Sequence, residues 1–205
     1  MSKEIKGTDS GNNITLYILP HPASRKNGNG ATNDYKIDSF ETAIKKGKLY
    51  ALSASKKTDN EEGRRANLNL AKKYMKYALN CTKCPEKISK AQINEGRIEN
   101  LLNNYEEGFI LFSDAYDEKL KRDPIGIVKV IGNMGISLLG IAAEGQCNVE
   151  IIEEAKTYIK FAKCLSESKI NKGMPFDEGV ETSKINLEAI DGLLNGKKEI
   201  TLREY

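Results

Sequence analysis

The sequence predicts an all-α protein of about seven helices, stacked as antiparallel hairpins. Apolar residues recur at helical spacing from Phe40 to about residue 195. Gly, Pro and Asn interrupt this pattern at short intervals, and no stretch of the body alternates every second residue for long enough to form a sheet. We divide the chain into a flexible N-terminal arm (1–37), a helical domain (38–196) and a charged tail (197–205). Within the arm, only Ile14–Leu19 has the composition of a strand.

Local signals place the helix ends. The first helix is expected to begin at Phe40, because Asp38 and Glu41 have the spacing of a capping box. A second helix follows the polar turn that ends at Glu62, and it stops between Asn80 and Pro85. The remaining helices are expected at about 87–103, between Asn104 and Asp123, and at about 126–143, 149–166 and 178–195. Gly196 is a plausible C-cap of the last helix.

The most apolar segment is Ile125–Ala143. It contains Lys129, Asn133 and four glycines, and it is shorter and more polar than a span of about 20 apolar residues. We therefore predict a buried helix of a soluble protein and no membrane span. The polar stretch Met1–Asn13 gives no signal peptide, and four cysteines without secretory context are expected to be reduced thiols. Together these features predict a cytoplasmic location.

Charge is unevenly distributed along the chain. Residues 1–80 hold 15 Lys/Arg against 8 Asp/Glu, whereas residues 81–205 hold 17 against 21. A basic front half could favour an anionic partner, although ordinary surface variation explains the same asymmetry. Nucleic acid is an unlikely partner, because the overall charge is only +3 and aromatic residues that could stack on bases are few, with no Trp.

A small-large-small pattern recurs in three of the predicted helices. Its members are Ala71, Met75 and Ala78, then Gly108, Phe112 and Ala115, then Ala155, Ile159 and Ala162. Small residues allow two helices to cross closely, and the large residue fills the groove between hairpins. The preceding helices match as well, since Asn94 and Gly96 are repeated 39 residues later as Asn133 and Gly135. This pattern favours a helical repeat.

In residues 90–120 the chain resembles the tetratricopeptide repeat family, whose motif is a helix-turn-helix of about 34 residues. Gly96 matches the small position of the first helix, and Tyr105, Gly108, Phe112 and Ala115 match the second. The resemblance extends over roughly 39–168 but is strong only in the middle unit. The spacing from first-helix glycine to second-helix small residue is 24, 12 and 20 residues in the three units. Such irregularity also suits an unrelated bundle, including a 14-3-3-like one.

The resemblance implies a concave groove lined by the first helix of each hairpin. The residues that it would place there as peptide ligands are Lys48, Asn94, Arg97, Lys129 and Asn133. Other expected lining residues are Ile44, Ile93, Asn100, Leu101 and Ile136. In family members that hold a C-terminal carboxylate, Lys, Asn and Arg occupy such places, and Asn94, Lys129 and Asn133 look like part of that clamp.

Catalytic and metal-binding patterns are weak. Cys81 and Cys84 have the spacing of half a zinc site, but no second pair exists, and the only histidine, His21, lies between two prolines. We therefore predict no enzyme activity, no metal and no cofactor. The predicted function is a scaffold that binds a peptide or protein segment. A structural subunit of a larger assembly and a basic accessory protein for nucleic acid or phospholipid are alternatives, and the partner's identity and the oligomeric state stay open.

Overall fold

A computed structural model describes residues 15–19, 39–55, 60–145, 148–170 and 176–205. Within these ranges the protein is all-α, as predicted, with seven helices and two short strands. The helices are α1 (Phe40–Ser55), α2 (Glu61–Asn80), α3 (Pro85–Leu102), α4 (Tyr105–Arg122), α5 (Pro124–Glu144), α6 (Val149–Ile170) and α7 (Asp177–Leu194). The strands are β1 (Thr15–Leu19) and β2 (Glu199–Arg203). Apart from β1, residues 1–37 lie outside the described ranges, and so do Asp38 and Cys147.

The sequence signals account for most helix ends. Asn103 ends α3 in the left-handed conformation, with φ of 70°, and the amide of Asn104 donates to the Glu99 carbonyl at 2.9 Å. The Asp123 carboxylate accepts from the amide of Gly126 at 2.9 Å and so caps the start of α5. Gly196, with φ of 89°, ends α7 as predicted. These caps leave connections of one or two residues on either side of α4.

Consecutive helices pack against one another, and the short connections make them antiparallel. In addition, α1 contacts α3, α3 contacts α5, and α5 contacts α7. Within the described ranges, the even-numbered helices make no comparable contacts with each other. The odd-numbered helices are therefore the inner layer of the stack, and the even-numbered helices form its outer layer.

The three hairpins α1–α2, α3–α4 and α5–α6 share one close contact. In each, a glycine of the inner helix faces the carbonyl oxygen of a small residue and the large side chain four residues further along the outer helix. The sets are Gly47 with Ala71 and Met75, Gly96 with Gly108 and Phe112, and Gly135 with Ala155 and Ile159. A methyl group on these glycines would lie 3.2, 3.2 and 3.0 Å from the respective carbonyl oxygens. All nine residues are buried, so the aligned pattern in the sequence corresponds to equivalent packing.

Strands β1 and β2 form a two-stranded parallel ladder, in which Leu16 pairs with Ile200. Strand β2 packs on α7, and β1 packs on α5. Ile200 and Leu202 point into the main core, whereas Glu199 and Thr201 are exposed. The segment predicted as a charged tail thus contributes buried side chains to the body. Exposed and buried side chains alternate from Glu199 to Leu202, but this two-residue alternation is too short to stand out in the sequence.

Helix α5 is the central helix of this core. Residues 126–144 have a mean hydropathy of 1.6, long and apolar enough for a membrane span by composition alone. However, 89% of that window is buried inside the protein, as in the core helix of a globular fold. This agrees with the predicted buried helix. No other helix among the described residues meets the same criterion.

Candidate binding groove on the inner helices

Four basic side chains converge on the inner layer. Lys48 of α1, Lys90 and Arg97 of α3, and Lys129 of α5 lie close enough to act on one another electrostatically. We call the surface that carries them, together with the adjoining face of α7, the inner groove. Lys48 and Lys129 are exposed, and neither has an ion-pair partner within 4.0 Å among the described residues. Lys90 pairs with Glu41 at 3.2 Å.

The surroundings lower the pKa of two of these lysines. For Lys48 the largest cause is desolvation, followed by the positive charges of Arg97, Lys90 and Lys129, and Glu41 partly opposes the shift. The pKa of Lys129 is lowered by desolvation and then by Arg97, against the opposing effect of Glu178 and Asp123. The side chains are accessible to water, yet protein atoms surround them on several sides. Such a site favours a bound anion, because a negative charge would relieve the repulsion.

The other end of the inner groove holds the protein's own residues 203–205. The Asn186 side chain of α7 binds the backbone of Arg203 twice, as donor to its carbonyl at 2.8 Å and as acceptor from its amide at 2.7 Å. Further along, the Asn133 side chain of α5 accepts a longer bond, 3.4 Å, from the amide of Tyr205. Two asparagines of the inner layer therefore hold an extended backbone by its peptide groups.

Side-chain contacts fix the same segment. Glu204, with a side chain only 3% exposed, accepts from the Arg97 guanidinium at 2.7 Å. The ring of Tyr205 lies over Gly132 of α5, where no side chain would fit beneath it. The hydroxyl of Tyr205 donates to that of Ser183 at 2.8 Å, because the Ser183 hydroxyl itself donates to the Gly179 carbonyl. Burial raises the pKa of Tyr205 above its usual range, and the hydrogen bond to Ser183 only partly opposes that shift.

The five residues predicted as ligands have different positions. Lys48, Arg97 and Lys129 come together on the inner groove as described above. Asn94 and Asn133 are buried, and each donates to a carbonyl four residues earlier in its own helix, at 2.6 and 2.8 Å. These bonds use one amide hydrogen of each side chain, and the carboxylate clamp stays a prediction. Of the further expected lining residues, Ile44, Asn100 and Ile136 are buried in the core.

Several residues of the inner groove escaped the sequence analysis. Lys90 stands 39 residues before Lys129, at the equivalent place of its hairpin, so the repeat itself could have indicated it. Asn186, Ser183 and Glu204 carry no local signal, because their partners are far away in sequence. The alternation of Ile200 and Leu202 is too short to indicate by itself that the last residues form a strand.

Outside the inner groove, the other kinds of candidate site among the described residues would be metal-binding groups, paired cysteines and buried carboxylates. No group of three or more His, Cys, Asp or Glu lies close enough to hold a metal ion in the described ranges. Cys81, Cys84 and Cys164 are exposed and unpaired. The buried Glu99 of α3 pairs with Lys72 of α2 at 2.5 Å and accepts from the side chain of Asn104, the residue just before α4, at 2.7 Å. These contacts join neighbouring elements of the fold.

No family model matches the chain, and a search of curated proteins finds no match. The geometry of the inner groove is therefore the basis for the function proposed below.

Proposed function

We propose that this protein is a non-catalytic binding module whose inner groove holds an extended, acidic segment of a partner protein. The observation that carries the proposal is the way in which the groove holds residues 203–205. Asparagine side chains bind the backbone, and a basic side chain binds an acidic one. This is a mode of recognition for extended peptides, since main-chain bonds give affinity and side-chain pockets give specificity.

The free basic end supplies the charge preference. Among the described residues Lys48 and Lys129 have no ion-pair partner within 4.0 Å, and their pKa values are lowered first by desolvation and then by the positive charge of Arg97. A partner carboxylate would oppose the repulsion from Arg97 and so raise the pKa of each lysine. Acidic peptides are therefore favoured over neutral or basic ones.

The relationship to tetratricopeptide repeats belongs to this proposal. The equivalent contacts of Gly47, Gly96 and Gly135 are those of stacked helical hairpins in general, and the unequal hairpin lengths depart from that family's regular unit. We also propose that the protein works in the cytoplasm, where exposed thiols such as Cys81 and Cys164 stay reduced.

A pair of charge reversals tests the proposal. Lys48→Glu with Lys129→Glu is preferable to a pair that includes Arg97, because Arg97 is needed by the buried Glu204. The matched control is Lys73→Glu with Lys160→Glu, which makes the same charge change at exposed positions of the outer helices α2 and α6. The probe is a fluorescent peptide rich in Asp and Glu, and the measurement is its anisotropy.

We expect the inner-groove variant to bind the probe at least about tenfold more weakly than wild type, and the control variant to bind it nearly as well. Circular dichroism should show unchanged helicity in both. If both variants weaken binding equally, the peptide responds only to net charge and the inner groove is not its site. A structural-subunit role and a nucleic-acid role stay predictions, with no described contact in their favour.

A further inference from the structure

The contacts of the protein's own C-terminal strand with the inner groove indicate more about a partner than a preference for acidic side chains. Residues 199–205, which we call the internal ligand segment, bury Ile200 and Leu202 in the main core and meet the protein through three further kinds of contact. Main-chain bonds come from strand β1 and from Asn186 and Asn133. The charge pair joins Glu204 to Arg97, and the aromatic contact places Tyr205 over Gly132.

Only two of these contacts select particular side chains at the end of the segment. The bonds from β1, Asn186 and Asn133 go to peptide groups that every extended chain offers. Arg97, by contrast, requires an acidic group at the position of Glu204. The floor at Gly132 and the hydroxyl of Ser183 accept a flat ring with a polar tip at the position of Tyr205.

We propose that the inner groove recognises partner segments in which an acidic residue is followed directly by tyrosine, and that such segments replace the internal ligand segment. This inference rests on the proposed function and specifies its ligand. The partner strand would pair with β1 as β2 does, place its carboxylate on Arg97 and place its tyrosine ring over Gly132. The internal ligand segment is then a tethered competitor, which limits binding to partners that reproduce its contacts.

Tethering determines what a binding measurement should show. The connection between α7 and β2 is only Asn195–Lys198, so the segment competes at an effective concentration on the order of millimolar. Wild-type protein therefore binds an added peptide much more weakly than its groove would if it were empty. A substitution that weakens the internal ligand segment without changing the groove should raise the apparent affinity for the added peptide by the same factor.

Glu204→Gln is such a substitution. It removes the charge on the segment and leaves Arg97 and the rest of the groove unchanged. Glu199→Gln is its matched control, because Glu199 belongs to the same strand but is exposed. The probe is a labelled peptide with the sequence of residues 199–205, acetylated at its N-terminus, and a reference peptide carries Gln and Ala in place of its last Glu and Tyr.

We expect the full-length Glu204→Gln protein to bind the probe at least about tenfold more tightly than wild type or Glu199→Gln, measured by anisotropy. The reference peptide should bind the same variant at least about tenfold more weakly than the probe. Equal binding of the probe by all three proteins, with the variants folded by circular dichroism, would overturn the inference. Equal binding of the two peptides would overturn the acidic-tyrosine preference.

A second variant covers the case in which Glu204→Gln does not fold. Leu202→Ala shortens a buried side chain of the same segment, and the added peptide restores the missing leucine, so the same increase in probe binding is expected. Failure of this inference is distinguishable from failure of the proposed function. If the Asp/Glu-rich probe depends on Lys48 and Lys129 while the segment probe never binds, the acidic site stands and exchange of the segment does not occur.

Discussion

Replacing Gly135 by Ala tests whether close helix contact is a real constraint in this stack. The new methyl carbon would lie 2.8 Å from Cγ1 of Ile159 and 3.0 Å from the carbonyl oxygen of Ala155. The first distance is shorter than a relaxed carbon–carbon contact of about 3.5–4.0 Å. Ile159 is fully buried and the Ala155 oxygen belongs to a helix backbone, so neither can move away freely. Helices α5 and α6 must separate slightly.

The expected cost follows from two opposing effects. Alanine improves intrinsic helix propensity over glycine by about 1 kcal/mol. Overpacking a tight interior costs about 1–3 kcal/mol. The net effect at Gly135 should be a loss of stability, up to about 2 kcal/mol. Gly192→Ala is the matched control, because the nearest atom to its methyl group is the flexible Lys197 side chain.

We expect Gly192→Ala to be neutral or stabilising, by at most about 1 kcal/mol. The two variants should therefore differ by about 2 kcal/mol, equivalent to about 4–8 °C in Tm for a chain of this size. Urea unfolding and thermal scans followed by circular dichroism measure this difference. If Gly135→Ala is as stable as Gly192→Ala, the hairpins do not depend on glycine at their crossing point, and the packing argument is refuted.

Two further predictions concern pH. Burial raises the pKa of Glu95 above 4.5, so the folded state binds the carboxyl proton of Glu95 more tightly than the unfolded chain does. Stability therefore falls as the pH rises from 4.5 through the raised pKa of the folded state. Glu95→Gln should gain more stability at pH 7 than at pH 4 in urea unfolding, unlike the exposed Glu188→Gln. The pKa values of Lys48 and Lys129 are lowered, so these lysines lose their charge at a lower pH than ordinary lysines, whose pKa is 10.5. As the pH is raised, affinity for the acidic probe should therefore begin to fall before pH 10.5 is reached. The double variant Lys48→Arg with Lys129→Arg should keep its affinity over the same pH range. An equal fall in that variant would show that Lys48 and Lys129 are not the groups whose titration controls binding.

The fold was largely predictable because its signals are local. Each helix has its own apolar periodicity, and residues such as Asp123 and Gly196 mark their ends through bonds to residues a few positions away. The stacking of hairpins could also be predicted, since close crossing requires small residues at matched places, and glycine in a helix is otherwise unfavourable. The relationship to a repeat family is a separate prediction, and no comparison tests it.

The internal ligand segment could not be predicted, because its contacts join distant parts of the chain. Glu204 meets Arg97 across 107 residues, and Tyr205 meets Asn133 across 72 residues. No periodicity relates such pairs, and a run such as Lys-Lys-Glu at 197–199 reads as a solvated tail. A buried charge pair becomes visible only when the fold has brought its two members together.

The asparagines show that equivalent places in two hairpins do not have to make the same contacts. Asn94 and Asn133 occupy equivalent places 39 residues apart, and each caps the carbonyl of an equivalent lysine, Lys90 or Lys129, in its own helix. The equivalence is therefore structural, since both side chains stabilise the inner helix that carries the basic residue. Only Asn133 has a second use, because the Gly132 beside it lets another chain segment approach closely enough to bond. The contact with the segment 203–205 thus occurs where the third hairpin differs from the second, at Gly132, so equivalence between the hairpins could not have indicated it.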